Sequence, residues 1–313
     1  MYLGSLEAGG TKMVCAIGTE KGEILDKKSI PTTTPEETMP LILDYFRKEK
    51  IEAIGVACFG PIDLNPDSTT YGYITSTPKL AWKNYNIVGV INEALKIPVG
   101  FDTDVNGSLL GEITWGCAKG LTDAAYFTIG TGIGAGIMSN GKLIHGMLHP
   151  EAGHMLLTPV PGDSYIGKCP YHKNCFEGLA SGPAIEARWG IKASDLSLRE
   201  EVWELESEYI AQALVNIIMV LSPQKIILGG GVMHQTQLFS LIRKKVLKRI
   251  HGYIVTSELN DIEHYIVPAS LNDDQGILGG IKLAVDSLLC YLQLLEYGRF
   301  DYADRETDRK NAR

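Results

Sequence analysis

Ala125-Tyr-Phe-Thr-Ile-Gly-Thr-Gly-Ile-Gly-Ala-Gly-Ile-Met-Ser-Asn-Gly-Lys-Leu-Ile144 decides the fold, because it repeats a pattern already present at the start of the chain. Ala125 to Ile129 reads as a strand, Gly130-Thr131-Gly132-Ile133-Gly134-Ala135-Gly136 as a glycine-rich turn, and Ile137-Met138 as a continuing strand. Asn140-Gly141 is a type I′ hairpin signal, with Lys142 to Ile144 as the return strand. Near the N-terminus, Leu3 to Ala8 is an apolar strand that runs into Gly9-Gly10-Thr11-Lys12. Met13 to Ile17 follows as a strand, Glu20-Lys21-Gly22 as a tight turn, and Glu23 to Ile30 as its partner. Two such patterns about a domain's length apart predict an internal duplication. Glycines in these turns let backbone N–H groups converge on an anion, and Thr11 and Lys12 add polar donors. Either turn alone reads equally well as a plain hairpin. Together, from two similar domains facing each other across a cleft, they would hold successive phosphates.

Outward from these stretches, Thr34-Pro35-Glu36-Glu37 is a capping box that predicts a helix to about Lys50. Ile54 to Cys58 is a buried strand that ends at Phe59-Gly60-Pro61, and Ile87 to Leu95 is a helix. Strand Val99 to Asp102 ends in Thr103-Asp104-Val105-Asn106-Gly107, where another helix begins. A carboxylate at that junction is either an N-cap or a group placed for chemistry, since α/β enzymes put their sites at strand ends. Gly178 to Arg188 and Glu200 to Leu221 read as helices. The second carries Val202, Leu205, Tyr209, Ala213, Ile217 and Val220 at core spacing. Strand Lys225 to Leu228 leads into Gly229-Gly230-Gly231-Val232, where glycines let a flat ligand such as an adenine lie on the backbone. A final helix is expected from about Asp273, capped by Asn272, to Leu289.

Glu151-Ala-Gly-His154 is followed by a Gly/Pro-rich loop and Cys169-Pro-Tyr-His172-Lys-Asn-Cys175-Phe-Glu177. Two Cys and two His in so short a span fit a tetrahedral zinc with no open position, a structural rather than catalytic metal. Such a metal would stabilise the loop by roughly 10 kcal/mol or more. The other reading is that the four residues share a loop by chance. Glu151 and Glu177 are poor zinc ligands beside thiolates and would instead face something polar.

The chain has 313 residues, 45% hydrophobic and 21% charged, enough for two sizeable cores in an ordinary globular protein. A net charge of −8 argues against nucleic acid or an anionic membrane as partner. No run approaches the length that spans a bilayer, and the start lacks the character of a signal peptide, so a cytoplasmic protein is expected. Residues 299–313 are almost entirely charged and polar and are expected to be disordered.

Taken together, these residues resemble the ROK family of sugar kinases, within the actin/hexokinase/Hsp70 ATPase (ribonuclease H-like) superfamily. Leu6 to Lys12 resembles the family's first phosphate motif, Gly130 to Gly134 its second, and Gly229 to Val232 its adenosine motif. Glu151 to His154 and Cys175 to Gly182 match its sugar and zinc signatures. Glu-Ala-Gly-Gly-Thr-Lys at the first motif, Asp102 to Asn106 and His172 in the knuckle look like the bacterial fructokinases of that family. The chain departs from the common pattern at Glu7, where the family has Asp; at Thr103, where it has Asn; and at His172, where it has Cys.

The resemblance implies an α/β fold of two similar domains with an interdomain cleft: residues 1–117 with 280–298, and 118–279. It implies ATP-dependent phosphorylation of a hexose at its 6-hydroxyl, fructose being favoured and glucose, mannose or another hexose the alternative. A sugar-sensing, non-catalytic member of the family is a further alternative. Asp104 would be the general base. Gly9, Gly10, Thr11, Lys12, Gly130, Thr131, Gly132, Gly134, Gly229, Gly230, Gly231 and Val232 would hold ATP. Gly60, Thr103, Asp104, Glu151, His154 and Glu177 would hold the sugar. Glu7 would stand on the Mg²⁺ side, and His154, Cys169, His172 and Cys175 would hold structural Zn²⁺. A homodimer is implied by family analogy.

Overall fold

The computed structural model describes residues 1–311, with side chains through residue 296. The expected disordered segment, 299–313, lies outside the described side chains and, at its end, outside the described residues. The chain forms two compact units, residues 1–107 with the segment from Gly276 onward, and Ser108–Gln275.

The first unit contains β1 (Tyr2–Ala8), β2 (Lys12–Thr19), β3 (Ile24–Pro31), α1 (Pro35–Phe46), β4 (Ile54–Cys58), β5 (Tyr73–Ile74), β6 (Tyr85–Asn86), α2 (Ile87–Leu95) and β7 (Val99–Thr103). Its main sheet has the order β3-β2-β1-β4-β7. β1, β2 and β3 form an antiparallel meander, and β1, β4 and β7 run parallel. β4 is buried at every position, as a strand covered on both faces must be. β3, at the sheet edge, exposes Lys27 and Lys28, charges that discourage edge-to-edge pairing.

The helix α3 (Asp104–Thr114) crosses from the first unit to the second. The sequence reading set the limit at residue 117. The division falls earlier because Gly107 packs tightly on the last helix: a Cβ at Gly279 would meet the Gly107 carbonyl oxygen at 1.7 Å.

The second unit contains β8 (Ala124–Ile129), β9 (Ile133–Ser139), β10 (Lys142–Leu143), α4 (Phe176–Ala180), α5 (Gly182–Trp189), α6 (Glu200–Leu221), β11 (Lys225–Gly229), α7 (Gln237–Ile250), α8 (Ser257–Asn260), α9 (Ile262–Tyr265) and β12 (Ile266–Pro268). Its sheet order, β10-β9-β8-β11-β12, repeats that of the first unit strand for strand. An antiparallel meander again leads into two parallel strands. The duplication is therefore structural as well as sequential.

Four local expectations need correction. α1 stops at Phe46 rather than near Lys50, and Thr34 makes no side-chain cap bond. The helix expected over 178–188 is broken at Ser181, whose backbone is extended and whose Oγ accepts from Ala184 N to start α5, with Pro183 in its first turn. α6 has the expected limits, but Val220 is 79% exposed, because it lies off the face on which Ile217, Ile218 and Leu221 pack. Asn272 and Asp273 do not begin the last helix. Both take left-handed backbone angles, and α10 (Gln275–Asn311) starts after them.

α10 also corrects the reading that no run approaches bilayer length. Residues 275–296 form a helix long and apolar enough to cross a membrane by length and composition. Core helices of soluble proteins pass the same test, and Ile277, Leu278, Ile281, Ala284 and Leu288 are buried within this protein.

Candidate active site

In the first unit, strand register gathers the candidate residues. Ala8 lies opposite Cys58, and Cys58 opposite Thr103. Three adjacent parallel strands thus end in line: β1 into the Gly9–Lys12 turn, β4 into Phe59-Gly60, and β7 into Asp104. Open α/β sheets bind ligands at such carboxyl ends. The first glycine turn is fixed by Thr32, whose Oγ1 donates to Gly9 O at 2.8 Å and whose N–H donates to Thr11 O at 3.1 Å. The Glu7 carboxyl rests on the start of α10, where a Cβ at Gly276 would lie 2.6 Å from Glu7 Cδ.

Asp104 is the first residue of α3 rather than its cap. Thr103 Oγ1 accepts from Asn106 N at 3.1 Å, so the threonine hydroxyl supplies the cap of α3. Asp104 Oδ1 accepts from the adjacent Val105 N at 2.9 Å. Beneath it, Asp102 Oδ1 accepts from Thr103 N at 2.7 Å and from Asn106 Nδ2 at 2.6 Å, locking the strand–helix corner. Burial pushes the Asp104 carboxyl up to about 6, against backbone hydrogen bonds that lower it. Thr103→Val should remove the cap and cost about 1 kcal/mol, read from urea unfolding. An unchanged midpoint would mean that water replaces the bond.

In the second unit, Gly229 lies opposite Thr128 on parallel strands, so the turns after β8 and β11 emerge side by side. A Cβ on Gly130 would come within 3.6 Å of Gly231 N. Gly230 has φ +88°, and a Cβ there would lie 2.6 Å from Ile129 N, so only glycine fits this junction. Gly182 N donates to Gly130 O at 2.8 Å. Glu177 Oε2 accepts from Ile133 N at 2.9 Å, which ties the glutamate to the second glycine turn. The 3-10 turn Ala152–His154 abuts the same strand, with Gly153 against Ile133 O. Glu151 Oε1 stands 3.5 Å from Nδ1 of the buried His149.

His154, Cys169, His172 and Cys175 converge, their ligand atoms all within 4.8 Å of one another. His154 Nδ1 lies 3.9 Å from Cys169 Sγ and 3.6 Å from Cys175 Sγ, and His172 Nδ1 lies 3.7 Å from Cys169 Sγ. Tetrahedral zinc with bonds of about 2.3 Å to sulfur and about 2.0–2.1 Å to nitrogen sets neighbouring S and N about 3.6 Å apart. The donor set and its spacing therefore fit zinc. Lys173 N donates to Cys169 O at 3.1 Å and closes the knuckle, and Gly178 N donates to Cys175 Sγ at 3.4 Å. Gly178 is required there, because a Cβ would meet Lys173 O at 1.9 Å. Cys175 is also the N-cap of α4, the helix that carries Glu177.

One residue escaped the sequence reading. A Cβ on Gly10 would lie 2.8 Å from Lys79 Cε and 3.5 Å from its Nζ, so this side chain lies against the first glycine turn. Sixty-nine positions separate the two residues, and no spacing rule connects them.

Comparison with known proteins agrees with this geometry. The ROK family profile matches residues 3–287. A putative fructokinase of Bacillus subtilis (strain 168) is 54% identical over 91% of this chain and 96% of its own length. The fructokinase of Pediococcus pentosaceus is 47% identical over 92% of this chain and 99% of its own. Among solved structures, a ROK hexokinase from Thermus thermophilus superposes with a TM-score of 0.75 at 23% identity, covering 95% of this chain and all of that one. A ROK family glucokinase from Streptomyces griseus, solved with glucose and AMPPNP, gives a TM-score of 0.71 at 22% identity, covering 91% of this chain and all of that one. The duplicated sheet and the motifs at its strand ends are thus those of a known lineage, and the chain belongs to the ROK family.

Proposed function

We propose that this protein is an ATP-dependent fructokinase that phosphorylates fructose at its 6-hydroxyl. The observation that carries the reading is the kinship with fructokinases over nine-tenths of the chain. It is supported by a half-buried carboxyl, pushed up by desolvation, at the strand end where such chemistry is placed. Asp104 takes the proton of the 6-hydroxyl as that oxygen attacks the γ-phosphorus and the bond to the ADP oxygen breaks. A positioned base of this kind is worth roughly 10²- to 10⁴-fold. The two glycine turns hold ATP phosphates on backbone N–H groups, and Gly229 to Val232 carries the adenosine. Glu151, His154 and Glu177 hydrogen-bond sugar hydroxyls, together with Gly60 and Thr103.

Two metals belong to this reading. Mg²⁺ with the nucleotide would neutralise phosphate charge, with Glu7 as the carboxylate on that side. Structural Zn²⁺ would be held by His154, Cys169, His172 and Cys175, leaving His154 oriented toward the sugar by its other ring nitrogen. A homodimer in the cytoplasm completes the proposal.

The test is ADP release with Mg·ATP across fructose, mannose, glucose and N-acetylglucosamine. Fructose should give the highest kcat/KM. A preference for another hexose would keep the phosphoryl transfer and overturn the substrate, and silence on all four sugars would overturn the kinase.

A further inference from the structure

We propose that Lys79 is a nucleotide-phosphate ligand of the first glycine turn, an assignment that rests on the kinase reading. Three observations lead to it. The Cε–Nζ end of Lys79 fills the space where a Gly10 side chain would be, so its ammonium lies at the turn itself. Among the described residues that ammonium has no hydrogen-bond or ion-pair partner, although Lys79 is only partly exposed. A half-buried cation without a counter-ion pays desolvation with nothing returned until an anion arrives.

The third observation is that Lys79 is mounted firmly. Its N–H donates to Thr77 Oγ1 at 3.3 Å, and its carbonyl accepts from Trp82 N at 2.8 Å, starting the 3-10 turn Leu80–Trp82. Trp82 is fully buried, and its indole N–H donates to Thr33 O at 2.8 Å. The adjacent residue, Thr32, is the one that pins Gly9 and Thr11. The turn and the lysine are thus fixed to one short segment, Thr32-Thr33, and their relative position is built into the fold. Lys12 lies in the same turn but is exposed. Lys79 is the better placed of the two to meet a phosphate against the backbone N–H groups, as a compact charge on a flexible stem.

Calorimetric titration of ADP, AMP and adenosine into wild type, Lys79→Met, Lys79→Arg and Lys12→Met tests the assignment. Lys79→Met should weaken ADP about 10- to 100-fold, the range for hydrogen bonds to charged groups, and leave adenosine within about twofold. Lys79→Arg should recover part of the loss. Gly10→Ala, which displaces the lysine end, should give the same phosphate-selective loss. Equal ADP affinity in wild type and Lys79→Met, with wild type still favouring ADP over adenosine, would overturn the role of Lys79 and leave the kinase reading intact. A uniform loss across all three ligands would show a structural role only and would also overturn it. A wild type that binds none of them would overturn both readings.

Discussion

Asp104→Asn lowers kcat by about 10²- to 10⁴-fold and leaves nucleotide affinity within a factor of about two. The amide keeps the shape of the carboxyl and can still accept from Val105 N, so the start of α3, capped by Thr103, stays in place. What it loses is the ability to take a proton. The same substitution should raise thermal stability. Burial has moved the Asp104 carboxyl from 3.8 to about 6, so the folded state disfavours its charged form. A raised carboxyl costs nothing below its unfolded value. Its penalty grows as pH rises from 3.8 to about 6 and persists in full above that. The variant should therefore melt a few degrees above wild type at pH 7.5, with the difference shrinking toward pH 5. Wild-type kcat/KM should rise with one ionisation near pH 6. A variant with near-normal turnover would remove Asp104 from the chemistry.

Cys175→Ser has the second large effect, because Cys175 holds two structures at once. Its sulfur belongs to the four-residue cluster and also caps α4 by accepting from Gly178 N. Two residues on, Glu177 reaches the glycine turn through Ile133 N. The variant should lose bound zinc, from about one per chain to near none by metal analysis. Its KM for the sugar should rise about tenfold or more, the scale of losses around metal sites, while ADP affinity changes little. Cys290→Ser, an exposed cysteine outside the cluster, should change neither. Full zinc content in Cys175→Ser would sink the ligand assignment, and unchanged sugar KM in a zinc-free variant would separate the metal from the pocket.

Much of this was legible in the sequence because it is carried by local signals. The repeated strand, glycine turn and hairpin announced two matching sheets, and the strand orders agree. β4 and α6 have the limits that their apolar patterns implied. The four metal-ligand candidates lay within one short stretch, and the structure converges them. The failures have physical reasons too. The break at Ser181 was written in Ser-Gly-Pro, a cap followed by a first-turn proline, but was read through as one helix. Val220 continued the apolar spacing but lies off the face that Ile217, Ile218 and Leu221 turn to the core. α10 reads as an ordinary core helix until its apolar length is counted in the folded chain.

Asp104 and Lys79 mark the limit of sequence reading in opposite ways. Spacing placed Asp104 at a strand end, but only Thr103 Oγ1 on Asn106 N showed that it was not needed as a cap. Lys79 had no local signal, since its approach to Gly10 arises from Trp82 and Thr33 meeting across the unit.

The most direct measurement of the central claim is the product itself, by phosphorus and carbon NMR of a reaction with Mg·ATP and fructose. The account predicts one sugar phosphate, with its phosphorus coupled to carbon 6, formed in step with ADP and absent with Asp104→Asn. Phosphate on another carbon, or inorganic phosphate alone, would contradict it.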